Sequence, residues 1–128
     1  MTPGETRASV EAYYAAVSAG DIDAAVAMFA DDAVMRDPVG MPPATDAASR
    51  RQRYDGIALA FETFAITPHQ VVASPGEAGA RWTARGKSRA GRDITFDGIS
   101  TFVFDEHGRI AQMSAYWDVS AIMSAMIG

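Results

Sequence analysis

The sequence predicts an α+β domain in which three N-terminal helices pack on one face of a curved antiparallel sheet. Such a cone leaves an apolar pocket between its two layers. Three observations predict it. Apolar residues recur at helical spacing in the first half, the second half alternates apolar and polar with a period of two, and compact Gly-containing turns divide that second half. With 128 residues, 48 % hydrophobic and 21 % charged, residues 1–128 form a single domain. A chain of this size buries about 70 % of its unfolded surface around one core.

Glu5 to Ala19 reads as the first helix, because Val10, Tyr13, Tyr14 and Val17 fall at i, i+3, i+4 and i+7. Gly20 closes it. Asp21 is placed to cap a second helix, Ile22 to Phe29, which buries Ile22, Val26 and Phe29. A short strand, Ala33 to Asp37, follows, with Val34 and Arg36 on one face and Met35 and Asp37 on the other. Gly40 to Thr45 is a loop. Asp46 then caps a third helix running to about Phe64, with Tyr54, Ile57, Ala58 and Phe61 on its buried stripe. Four strands complete the sheet: Ala65–Ser74, Gly79–Ser88, Asp93–Phe104 and Ile110–Asp118. Their hairpin signals are Pro75-Gly76-Glu77, Arg89-Ala90-Gly91 and Asp105-Glu106-His107-Gly108. Asp118 caps a short C-terminal turn or helix, Ser120 to Met126.

Composition removes several classes of function. There is no cysteine, hence no disulfide, thiolate nucleophile or zinc–thiolate site. His69 and His107 lie on a strand and in a turn, without metal-ligand spacing, and no Walker, GxSxG or GxGxxG motif occurs. Neither a metal nor a cofactor is expected. A net charge of −5, with Lys87 the only lysine, argues against nucleic acid or a membrane surface as a partner. The Arg50-Arg51-Gln52-Arg53 cluster reads as a solvated helix face. Met1 to Val10 holds no signal-like apolar run, so a cytoplasmic protein is expected.

The chemistry concentrates in Met35-Arg36-Asp37-Pro38-Val39-Gly40-Met41-Pro42-Pro43. Asp-Pro-x-Gly is in part plain turn chemistry. Met35, Val39 and Met41 also give Asp37 apolar neighbours, and apolar surroundings raise the basicity a general base needs. Strand parity supplies its company. Phe96, Gly98, Ser100, Phe102 and Phe104 share one face, and Asp97 points the other way unless a bulge at Gly98 re-aims it. Trp82 sides with Ala80 and Ala84, and Trp117 with Met113 and Ala115. The interior therefore holds few polar groups: Tyr13 or Tyr14, Asp37, Tyr54 and Ser100. That composition suits an apolar small molecule.

The segments Tyr13-Tyr14-Ala15-Ala16-Val17-Ser18-Ala19-Gly20-Asp21 and Phe29-Ala30-Asp31-Asp32-Ala33-Val34, continuing to Asp37-Pro38-Val39-Gly40, resemble bacterial ketosteroid isomerases. More broadly the chain is similar to the nuclear transport factor 2-like superfamily, with its polyketide cyclases and small epoxide hydrolases. The resemblance implies that Asp37 is the base, Tyr13 the oxyanion donor, Tyr54 its supporting tyrosine and Trp117 an aromatic wall. It also implies a second acid on the penultimate strand, where this chain has Ser100. Ser100 can supply a neutral hydrogen bond there, and Asp97 can substitute only if the strand bulges.

Three readings follow. The first is an isomerase shifting a double bond in an apolar ketone, with Asp37, Tyr13 and Ser100 catalytic and Tyr54, Asp97 and Tyr14 in support. Trp82, Phe102, Trp117, Met113, Val39 and Phe61 would then pack on the substrate. The second is an epoxide hydrolase or polyether cyclase using the same Asp37 with Glu62, Asp97 or Asp118 as acid. The third is a non-catalytic binding or dimerisation module. Arg81, Thr83, Arg85, Thr95, Ile99, Thr101 and Val103 on the outer sheet face suit a homodimer interface, as in the family resembled.

Overall fold

Thr2 caps the first helix, which starts at Pro3, two residues ahead of the expected Glu5. In the computed structural model, which describes residues 1–127, α1 spans Pro3–Ser18 behind a reciprocal capping box of Thr2 and Glu5. Gly20, at φ 71°, ends it, and Asp21 caps α2 (Ile22–Ala27) by accepting from the Ala24 N–H. α2 stops short of Phe29, where β1 (Phe29–Arg36) begins. Asp46 caps α3 (Ala47–Ala60) through the Ser49 N–H at 2.7 Å. β2 (Phe61–Ser74), β3 (Glu77–Ser88), β4 (Asp93–Phe104) and β5 (Ile110–Tyr116) follow, and α4 (Val119–Ile127) ends the described chain. Gly76, Gly91 and Gly108 adopt positive φ at the three hairpins, a conformation that favours glycine.

β1 thus begins four residues before the expected Ala33, and the end of the third helix and the start of the next strand differ from expectation for one reason. Tyr54, Ile57, Phe61 and Phe64 fit a helical stripe, so the third helix reads to Phe64, yet the chain turns extended at Phe61. A register shift between Phe61 and Thr63 turns both phenylalanines inward from a strand. Strand and helix periodicities coincide over this stretch, and pairing with β3 decides between them.

The sheet order is β1-β5-β4-β3-β2, with a four-strand antiparallel meander from β2 to β5. β1 joins it in parallel to β5, so the sheet is not purely antiparallel. Because β1 and β2 are the two edges and do not pair with each other, the sheet stays open rather than closing into a barrel. α1 crosses its concave face. There Tyr13 and Tyr14 meet Phe102 edge-on, at ring-centroid distances of 5.5 and 5.9 Å. No helix among the described residues is long and apolar enough to cross a membrane.

The arginine cluster is not the solvated face expected. Arg50 is 1 % exposed, and its guanidinium donates to the Ala33, Ala30 and Asp31 carbonyls at 2.8, 3.0 and 3.1 Å. It also lies over the Phe29 ring, 5.4 Å from the centroid. Arg53 donates to the backbone carbonyls of Asp37 and Pro42. Only Arg51 behaves as a surface residue, pairing with Asp23. The two inward arginines tie α3 to β1 and to the loop that follows it.

Candidate active site

Strand β1 ends at Arg36, and the chain continues through Asp37, which lines the cavity between sheet and helices, into a cis bond to Pro38. Ala44 pairs back onto Met35 through reciprocal backbone bonds at 2.9 and 2.8 Å. The Val39 N–H donates to the Ala115 carbonyl, and Arg53 holds the Asp37 carbonyl at 2.9 Å. Asp37 is thus carried on a turn fixed from three sides.

As a residue Asp37 keeps partial exposure, but its carboxyl group faces protein. Desolvation raises its pKa above the ordinary carboxylate value. The Trp117 Nε1–H, donated to Oδ1 at 2.8 Å, and the positive charge of Arg53 both pull the other way. The net direction is upward, towards a more basic carboxylate. Trp117 stands 80 residues from Asp37 and was expected only as an aromatic wall.

The cavity between sheet and helices measures about 260 Å³. Its walls include Tyr13, Tyr14, Asp37, Tyr54, Phe61, Trp82, Ser100, Met113 and Trp117, as the sequence places them. Two expected contact residues are elsewhere. Phe102 packs behind the tyrosines rather than lining the cavity, and Val39 is 40 % exposed on the turn. Ile122, Met123 and Met126 of α4 do line it, a contribution the short C-terminal segment did not announce.

Tyr13 and Tyr54, both 5 % exposed, share a hydrogen bond of 2.8 Å between their hydroxyls. Burial pushes both phenols well above their usual pKa. Each hydroxyl has one proton to give. Tyr54 can spend its proton on Tyr13 or on Met35 Sδ, 3.6 Å away, and a thioether is the weaker acceptor. With Tyr54 donating to Tyr13, the Tyr13 proton is available to an oxygen in the cavity.

Ser100 lies on the inner face and accepts from the Trp82 Nε1–H at 2.9 Å. Asp97 does not join it. β3 and β4 pair without a register break from Glu77↔Val103 to Lys87↔Asp93, so no bulge forms at Gly98. Asp97 faces outward and accepts from Thr83 Oγ1, which also contacts His69 Nε2 at 2.6 Å. Gly98 serves another purpose. A Cβ there would lie 2.3 Å from Trp82 Cζ2, so glycine admits the indole onto the strand. Gly98→Ala is therefore expected to push Trp82 off Ser100 and cost about 1–3 kcal/mol, read as a lower urea midpoint.

The other acids proposed for the site also lie outside the cavity. Glu62 is exposed beside a neighbouring groove, and Asp118 caps α4 by accepting from the Ala121 N–H at 3.1 Å. Asp37 is the only carboxylate lining the cavity among the described residues. No group of acidic, histidine or cysteine side chains among those residues is arranged to hold a metal ion.

Residues 10–113 match the family model described as a SnoaL-like domain. The chain belongs to the SnoaL-like domain family. This SnoaL-like chain is 30 % identical over 114 residues to a protein named Steroid Delta-isomerase from Nocardioides simplex. That match covers 88 % of this chain and 89 % of the relative. Among solved structures it is similar to the epoxide hydrolase/cyclase-like enzyme SalBIII of pyran ring formation in the polyether salinomycin. The TM-score is 0.83 at 22 % identity, over 91 % of this chain and 93 % of that one. At that identity the likeness to SalBIII shows that the SnoaL-like chain shares its nuclear transport factor 2-like fold.

Proposed function

We propose that the protein is an isomerase that moves a carbon–carbon double bond into conjugation with the carbonyl of an apolar ketone. One observation carries the reading: the single carboxylate lining the apolar cavity, made more basic by burial, shares that cavity with a buried tyrosine pair that has a proton to offer. The similarity to a steroid Delta-isomerase supports the same choice.

In this mechanism the Asp37 carboxylate removes a proton from the carbon between the carbonyl and the double bond. The electron pair moves into a dienolate, whose oxygen accepts a hydrogen bond from Tyr13, and Tyr54 stabilises the charge through Tyr13. Asp37 then returns its proton to the far carbon of the dienolate, giving the conjugated enone and regenerating the carboxylate. Trp117 keeps the carboxyl group oriented through both transfers. The reaction gains and loses no atoms, and it calls for no metal or cofactor.

An epoxide hydrolase needs an acid for the epoxide oxygen besides the base. The sheet faces and capping roles of Glu62, Asp97 and Asp118 leave Asp37 without a second carboxylic acid for that step. The deciding experiment offers 5-androstene-3,17-dione and follows the near-ultraviolet absorbance of the conjugated product. Growth of that absorbance supports the isomerase. Its absence, together with ¹⁸O incorporation into an apolar epoxide from labelled water, would move the assignment to hydrolysis.

The outer sheet face supports a homodimer. Arg81, Arg85, Thr95, Ile99 and Thr101 are exposed there, and Ile99 and Tyr116, paired across β4 and β5, are each 51 % exposed. A twofold pairing would cover this apolar surface between basic residues. Light scattering at micromolar concentration should give twice the chain mass, and a monomer mass would remove the proposal.

A further inference from the structure

Tyr14 is 2 % exposed and lines the cavity, yet its hydroxyl has no hydrogen-bond partner among the described residues. Buried hydroxyls are nearly always satisfied, and one left open on a cavity wall finds its partner in whatever fills the cavity. Packing does not explain the oxygen. A phenylalanine would meet Tyr13 and Phe102 just as well, at ring-centroid distances of 5.2 and 5.9 Å.

Ser100 is the polar group beside this hydroxyl, and it opposes the rise in Tyr14's pKa that burial causes. The proton count then sets a direction. An indole N–H only donates, so Ser100 Oγ accepts from Trp82 and has its own proton left to give. Turned towards Tyr14 once a ligand is bound, that proton would leave the Tyr14 hydroxyl free to donate into the cavity. The order Trp82, Ser100, Tyr14 from the sheet mirrors the order Tyr54, Tyr13 from α3. The charge of Asp37 acts on the Tyr13 and Tyr14 hydroxyls alike, which places both within the field of the base.

We infer that Tyr14 is a second hydroxyl donor to the ligand, with Ser100 as the positioning residue behind it, so that two adjacent tyrosines of α1 hold one carbonyl oxygen. A carbonyl has two lone pairs and can accept from both. The ligand class narrows accordingly to apolar ketones whose oxygen is free on both sides. The inference rests on the isomerase reading for the identity of that oxygen. It differs from that reading in assigning the direct contact to Tyr14 and an indirect one to Ser100.

The test binds 4-androstene-3,17-dione, labelled with ¹³C at the enone carbonyl, to the full-length protein and reads the carbonyl stretch by isotope-edited infrared spectroscopy. Each hydrogen bond donated to the carbonyl lowers that frequency. Tyr14→Phe should raise it by an amount similar to Tyr13→Phe. Ser100→Ala should raise it less, and Ser100→Thr should restore it. In turnover, Tyr14→Phe should lower kcat about 10²-fold with little change in KM. An unchanged melting temperature shows that the phenylalanine ring has kept the packing. If Tyr13→Phe moves the band and the rate while Tyr14→Phe moves neither, Tyr14 is a packing residue and the inference is overturned, with the isomerase reading intact. If neither variant moves the band, the ligand oxygen is not held by α1, and both readings fall.

Discussion

Asp37→Asn is expected to lower kcat on a β,γ-unsaturated ketone by about 10²–10⁴-fold, the range that a positioned general base contributes. The amide keeps the shape of the side chain and still offers an oxygen to the Trp117 N–H, so substrate affinity should change little. What it loses is the ability to take and return a proton. The wild-type rate should also carry an acid limb, because only the carboxylate is active. Burial raises the Asp37 pKa, so that limb lies above the ordinary aspartate value near 4.

Stability moves in the opposite direction. Between the unfolded pKa of about 3.9 and the higher folded one, the native state binds more protons than the unfolded state. Stability therefore declines as pH rises through that window, and at neutral pH the full cost of holding the buried anion is present. Asp37→Asn removes the anion. Urea midpoints should then favour the variant at pH 7 and converge with wild type once the pH falls below about 4. A variant less stable than wild type at pH 7 would mean that Trp117 and Arg53 more than compensate the burial of the charge.

Tyr13→Phe should lower kcat about 10²–10³-fold, as removal of one oxyanion donor does, and leave KM within a few-fold. The ring stays among Phe102, Phe29 and Tyr14, so the fold should hold. Tyr54→Phe should cost less, because Tyr13 keeps its own proton and loses only the partner that strengthens it. The neutral phenol is the active form, and burial lifts the Tyr13 pKa well above its usual value. No alkaline loss of activity should therefore arise from Tyr13 below pH ~10. Steady-state rates of the three proteins across pH measure all of this, and equal losses for Tyr13→Phe and Tyr54→Phe would show a unit rather than a donor and its support.

The inward placing of Asp37, Tyr13, Tyr14 and Tyr54 was legible in the sequence because each sits in a local pattern, whereas the choice of Tyr13 and its pairing with Tyr54 came only from the family resemblance. Asp37 follows an alternating strand and precedes Pro38, and the tyrosines lie on helix stripes whose period can be read within two turns. The inner row of β4 was legible for the same reason, since side-chain direction in a strand has period two. Contacts made across long separations were not. Nothing near Trp117 says that its N–H reaches Asp37. Arg50 looked like surface charge because its three acceptors are main-chain carbonyls of Ala30, Asp31 and Ala33, which every sequence has and none reveals. Gly98 invited a bulge, and only the bulk of Trp82 on the neighbouring strand explains it. The cavity-lining side of α4 was harder to read, because seven of its nine residues are apolar and only Ser120 and Ser124, one turn apart, mark its outer side.

Asp37, the lone carboxylate lining the cavity among the described residues, has a consequence for which molecules the cavity would favour. Tyr13, Tyr14, Tyr54 and Ser100 are neutral, and the Arg53 guanidinium donates to the carbonyls of Asp37 and Pro42. A fatty acid or other anion would bring its charge beside Asp37 into a medium that screens poorly, with no cation lining the cavity except that committed arginine. Under the proposed function, selection by charge would come before selection by shape, favouring uncharged ketones over their carboxylated relatives.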